Sequence, residues 1–225
     1  MLKLCVVVAL GVSSFQSPAP PTVDAIVKAH IEARGGADAW NAVVSYARHQ
    51  SNQFVTVDTA WVRASSGRPD KMRIDQGAAD YPGETRVFDG ETGWLGGPSG
   101  LRNLSAGDVQ ELREDAAGMV ELLAAKELGL QLAFAGADSL DGKPVWKIAV
   151  TLRSGRRMTL WLDQATALEA GRAKTVTGPD GGVTEIWTSV GDYRKVGGID
   201  LPHNVNGSAA SYKINAPLKD DFFKK

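Results

Sequence analysis

The side chains able to do chemistry are sparse in this 225-residue chain, and their spacing fits none of the common catalytic constellations. His30, His49 and His203 are far apart, with no carboxylate at metal-ligand spacing beside them. Gly97-Pro98-Ser99-Gly100 is followed by Leu101, which breaks the G-x-S-x-G pattern of a nucleophile elbow. No H-E-x-x-H, P-loop or dinucleotide fingerprint is present. Asp89 with Glu91, and Asp70 with Asp75, are the carboxylate pairs that acid–base work would use, but Asp89-Gly90 is first of all turn chemistry. Pro179-Asp180-Gly181-Gly182 carries one acid, too few hard oxygens for calcium. The expectation is a protein without catalytic residues, metal or cofactor.

Charge and cysteine usage narrow the class further. Lys plus Arg number 25 against 26 Asp plus Glu, with no basic block before the last two residues, so the footprint of a nucleic-acid binder is missing. Residues 1–17 hold a lysine and then the apolar run 4–12, too short to span a bilayer and suited to a signal-peptide core. Residues 18–22 read as a Pro-rich tether, and 23–225 as one domain. Cys5, the single cysteine, falls inside the leader, so the mature chain has no thiol and no disulfide. A periplasmic or secreted protein, peripheral to a membrane at most, is the expectation.

The elements that must position any site are mostly strands. Thr22 caps a helix over 23–34, in which Asp24 faces Lys28 and Gly35-Gly36 supplies the stop. From residue 44 short runs of β-branched and aromatic residues alternate with turn residues, giving strands at 44–50, 53–64, 71–76, 86–88, 93–95, 130–137, 145–152, 157–162, 168–177, 183–193, 199–205 and 209–214. Asp89-Gly90, Asp141-Gly142 and Gly197-Gly198 mark tight hairpins. One long amphipathic helix is predicted over 105–129, with Ser105 and Asp108 as a capping box and Gly129 as its left-handed stop. An antiparallel meander that sends out one helix is most economically an α+β fold, a strongly curved sheet with that helix across its concave face.

Trp146, Ile148, Val150 and Leu152 point to one face of their strand, and Met158, Leu160 and Leu162 answer from the next. With Leu112, Met119 and Leu123 from the helix, they are the candidate lining of an apolar cavity. Physics alone leaves two classes open: a binder of apolar ligands such as acyl chains, or a scaffold that binds a protein.

Several stretches carry a resemblance. Phe88-Asp89-Gly90-Glu91-Thr92-Gly93-Trp94 resembles the D-G-x-x-x-W hairpin of LolA/LolB-like outer-membrane lipoprotein carriers and lipoprotein-sorting proteins. Leu160-Trp161-Leu162-Asp163-Gln164-Ala165-Thr166 resembles their strand followed by D-x-x-T, and Ser139-Leu140-Asp141-Gly142-Lys143-Pro144 the preceding turn. Gly197-Gly198-Ile199-Asp200-Leu201-Pro202 and Ile214-Asn215-Ala216-Pro217-Leu218 are similar to the closing strand and tail. The resemblance implies an unclosed half-barrel with helices covering its mouth, and a non-enzymatic periplasmic carrier of lipid acyl chains or lipoproteins in outer-membrane biogenesis. Arg48 and Arg63 are the candidates for the arginine that holds the family's lid closed. The segment 141–163 also resembles the first domain of envelope regulators that bind anti-sigma factors, which implies the alternative, an envelope protein partner.

Overall fold

The computed structural model describes residues 21–63, 70–78, 81–117, 122–177 and 181–224. The predicted leader, Met119 and Gly118 lie outside the described residues.

The chain opens with α1 (Val23–Ala33), where Thr22 Oγ1 accepts the Ala25 amide at 3.2 Å and Ile26 and His30 form the buried seam. Lys28 pairs with Glu32 at 2.8 Å, one turn on, rather than with Asp24. The segment around Trp40 is a short helix, α2 (Gly36–Asn41), which is too brief for a helical period to show in sequence.

Two meanders follow. The first comprises β1 (Ser45–Ser51), β2 (Val55–Val62), β3 (Lys71–Ala78), β4 (Tyr81–Phe88), β5 (Gly93–Gly97) and β6 (Gly100–Asn103). The second comprises β7 (Gln131–Leu140), β8 (Lys143–Thr151), β9 (Arg157–Asp163), β10 (Glu169–Thr177), β11 (Val183–Val196), β12 (Ile199–Val205) and β13 (Ser208–Ile214). Between them lie α3 (Ala106–Ala117) and α4 (Ala125–Leu128), and a 3-10 turn, Asp220–Phe223, ends the chain.

The strands form one antiparallel sheet in the order β6-β5-β4-β3-β2-β1-β13-β12-β11-β10-β9-β8-β7, an open half-barrel with β6 and β7 at its edges. The α3–α4 segment therefore carries the chain from one edge of the sheet to the other. β6 is absent from the expected strands because all four of its residues are exposed, which leaves no inward–outward alternation to detect.

Hairpin chemistry is local and explicit. Asp89 Oδ1 accepts the amides of Glu91 and Thr92 at 3.0 and 2.7 Å, and Asp163 Oδ1 accepts those of Ala165 and Thr166 at 3.0 and 2.8 Å. Asp141-Gly142 and Asn206-Gly207 both have two successive positive φ angles, the two-residue turn whose twist matches its strands.

Over the range 105–129 expected as one helix, the described residues comprise α3, a turn at residues 122–124 and α4. Its ends are as expected: Ser105 and Asp108 cap one another, with the Asp108 amide on Ser105 Oγ and the Ser105 amide on Asp108 Oδ2, both at 3.1 Å. Gly129 closes α4 with φ +65°. The interruption has a packing reason. Leu122 is buried against Ile148, Leu160 and Leu162 of the second meander, whereas Ala124, two residues on, is buried with Trp40, Tyr46 and Trp61 beside the first. A turn lets neighbouring residues enter two different cores.

Candidate functional site

Strand register builds the inner wall of a cavity on the concave face. Residues opposite one another on antiparallel strands share a face, so three rows cross β1 to β4: Tyr46, Trp61, Met72 and Phe88; then Arg48, Thr59, Ile74 and Arg86; then Gln50, Val57, Gln76 and Glu84. Trp61, Met72, the whole second row, Gln50, Val57 and Gln76 line a cavity of about 340 Å³. The second meander completes it with Glu169, Arg172 and Lys174 of β10, Val190 and Tyr193 of β11, and Pro202 and Val205 of β12; Asp115 reaches in from α3.

The rows set a gradient of polarity. The first is anchored by the stack of Tyr46 on Trp61, 5.3 Å between ring centroids and 7° between planes, and both rings are buried. The second brings two guanidiniums around an isoleucine and a threonine, and the third holds the Gln50 and Gln76 amides with Val57 and the Glu84 carboxylate. An apolar floor thus passes, along the strands, into a polar mouth.

The cavity is also cationic. Among the described residues that line it, Arg34, Arg48, Arg86, Arg172 and Lys174 outnumber the carboxylates of Asp115 and Glu169; Arg86 also borders a second hollow with Glu84, Asp108 and Glu111. Glu169 is buried and clasped by Arg172, Nε to Oε1 at 2.6 Å and Nη2 to Oε2 at 2.5 Å. Burial alone would raise its carboxyl, but the Arg172 charge and hydrogen bonds hold it below the usual range. Arg34 packs its guanidinium 4.3 Å from the Trp40 ring, and Arg48 donates to Thr59 Oγ1 at 3.3 Å.

One helix covers the space. Asp115 of α3 accepts from Lys174 at 2.8 Å and from Arg156, in the β8–β9 turn, at 3.2 Å. Arg156 also lies 2.9 Å from Glu114 and 3.4 Å from Glu111. On the other side, Arg113 of the same helix sits over Phe88 at 4.7 Å. α3 is thereby fastened to both meanders. The partly buried Asp115 carboxyl is pushed up by desolvation, but Lys174 and Arg156 more than offset this and lower it.

The expected lining residues that the structure describes are found in three places. Ile148, Val150, Leu152, Met158, Leu160 and Leu162 are buried together, with Ile26 and Leu122 packed on them and Trp146 at their margin. Leu123 packs, partly buried, against the Trp40 core, and Leu112 is buried on α3 beside a second hollow shared with Arg86. Arg48 is a wall of the 340 Å³ cavity. Arg63 is buried and donates to the carbonyls of Val43, at 2.5 Å, and Trp40, so it fastens the first meander to α2. Arg156 and Lys174, which do hold α3, had no signal in the sequence, because their partner Asp115 is 41 and 59 residues away.

The groups that acid–base chemistry would need are engaged elsewhere. Asp75 takes Arg73 through two hydrogen bonds, at 2.7 and 3.0 Å, and Thr85 at 2.6 Å. His30 Nδ1 lies 2.9 Å from the Ala167 carbonyl, and His203 Nδ1 3.0 Å from that of Leu201. His49, read in sequence as having no carboxylate beside it, meets Asp58 across the β1–β2 ladder at 2.8 Å, and Ser211 is its opposite number on β13. That row lies on the face away from the cavity, half-exposed, with no hydrogen bond between Ser211 and His49 among the described residues. Among the described residues no group of three His, Cys, Asp or Glu is placed to hold a metal, and no helix is long and apolar enough to cross a membrane.

No protein-family model matches the chain, and no curated protein is a significant match. Solved structures do match it over nearly its full length. One is a DUF1329 family protein from Desulfovibrio piger, at 13% identity, covering 91% of this chain and 98% of that one with a TM-score of 0.54. A LolA superfamily protein from Nitrosomonas europaea matches at 14% identity over 92% and 99%, TM-score 0.51. A candidate outer membrane lipoprotein-sorting protein domain from Vibrio parahaemolyticus matches at 11% over 89% and 95%, TM-score 0.51. The open half-barrel is a fold this chain shares with solved structures of a DUF1329 family protein and a LolA superfamily protein.

Proposed function

We propose that this protein is a non-enzymatic carrier of the bacterial envelope, which holds lipid or lipoprotein acyl chains between its curved sheet and α3. The observation that carries this reading is the cavity of about 340 Å³ on the concave face, floored by Trp61, Met72 and Ile74 and covered by a single helix. Its size falls at the lower end of the roughly 300–1,000 Å³ common for small-molecule sites. The fold shared with a LolA superfamily protein and with a candidate lipoprotein-sorting domain supports the same reading. Residues 1–17 would deliver the chain to the periplasm.

The strip Ile148, Val150, Leu152, Met158, Leu160 and Leu162, with Trp146 beside it, would extend the apolar surface once Leu122 lifts away. Leu112, Met119 and Leu123 travel with the same covering segment. A chain too long for the cavity then has somewhere to go.

Native mass spectrometry of protein gently purified from an envelope fraction tests the proposal. Co-purifying lipid, together with uptake of a fluorescent fatty acid, is the expected result. Repeated absence of both would end it.

A further inference from the structure

We infer that the ligand of this cavity is an amphiphile with an anionic head group, a carboxylate or phosphate on an acyl chain, whose head is read by Arg48 and Arg86. The inference rests on the acyl-chain reading above and specifies the ligand's other end.

Three observations carry it. Arg48 and Arg86 stand in one cross-strand row with Thr59 and Ile74 between them, so both guanidiniums rise from the same face of the sheet into the same cavity. Their hydrogen-bonding capacity is largely unspent. Among the described residues the Arg48 side chain gives one bond to Thr59 while its Nε is buried without a partner, and the Arg86 side chain makes no hydrogen bond or ion pair. A buried donor left unsatisfied is destabilising, and an incoming oxyanion removes that cost. The two carboxylates of this cavity wall are already committed, Glu169 to Arg172 and Asp115 to Lys174; Glu84, Asp108 and Glu111 border Arg86 only in the adjoining hollow, without an ion pair to it among the described residues.

The gradient of the rows gives the ligand a direction. The apolar chain lies toward the Tyr46–Trp61 stack and Met72, and the head lies at the arginine row, next to the Gln50 and Gln76 amides of the mouth. Arginine suits such a head because its planar fork matches carboxylate and phosphate oxygens in pairs. A neutral head of the same size would leave both guanidiniums desolvated without compensation.

The test is calorimetric titration of the full chain with dodecanoate, dodecyl phosphate and dodecanol, and with inorganic phosphate alone. Dodecanoate and dodecyl phosphate are expected to bind at least tenfold more tightly than dodecanol, with inorganic phosphate weaker than either. Arg86→Gln and Arg48→Gln, checked for fold by circular dichroism, should each erase most of that preference, by weakening dodecanoate and dodecyl phosphate rather than dodecanol. Equal binding of acid and alcohol by the wild-type chain, which requires no variant to fold, would overturn the inference and leave the acyl-chain reading standing. Inorganic phosphate binding as tightly as dodecyl phosphate would also overturn it, by removing the chain from recognition. Failure of all three chain-bearing ligands to bind would overturn both.

Discussion

Asp115 of α3 and Lys174 of β10 meet at 2.8 Å across the mouth of the half-barrel, and the contact binds a helix that follows the first meander to a strand of the second. Asp115→Asn should lower stability by about 1–2 kcal/mol, a partly exposed charge pair being worth less than a buried one. Urea denaturation of both single variants and of the double variant with Lys174→Met measures the coupling. A coupling energy near zero would mean that the pair does not fasten the helix.

Arg63 is expected to act on the fold rather than on a lid. Its guanidinium supplies the Val43 and Trp40 carbonyls from a buried position. Arg63→Met orphans both acceptors and should cost about 2–4 kcal/mol. Its effect on dodecanoate affinity, measured well below the variant's melting temperature, should be less than twofold.

His30 makes stability depend on pH. Burial, reinforced by the nearby Arg34 charge, lowers its imidazole from 6.5 to about 4, with the Ala167 carbonyl and Glu169 opposing and Arg172 adding to the effect. A folded-state value below the unfolded one means that this contribution is present above pH 6.5 and is lost as pH falls from 6.5 toward 4. The loss amounts to at most about 3 kcal/mol. Thermal melts of wild type and His30→Met between pH 7 and 4.5 check it, the wild type being expected to fall more steeply. Parallel slopes would contradict the assignment.

Gly171 lies beneath a tryptophan. A Cβ there would stand 2.5 Å from the Trp187 ring, which itself meets Trp161 edge-on at 4.8 Å. Gly171→Ala should displace the Trp187 indole, shift the tryptophan emission to the red and cost about 1–2 kcal/mol by overpacking. An unchanged spectrum would place the indole elsewhere in solution.

What could be read from sequence was local. The Ser105–Asp108 cap, the Asp89 and Asp141 turns and the alternating strip from Ile148 to Leu162 each need only a few neighbouring residues, and all are present in the fold. The cavity wall needed register across four strands. Arg86 sat at the start of what looked like a three-residue strand, and nothing nearby in sequence links it to Arg48. The break in the covering helix was hidden for a related reason: Leu122 and Ala124 both read as apolar positions, and only tertiary packing sends them into different cores.

The pairing of Tyr46 with Ile214 in the β1–β13 seam has a kinetic consequence. Every other strand pair joins neighbours in the chain, so each meander can assemble from short-range contacts, whereas the seam closes a loop of about three quarters of the protein and carries the largest entropic toll. The two meanders should therefore zip separately and meet last at β1 and β13. Until they do, the inner face of the half-barrel has only one side.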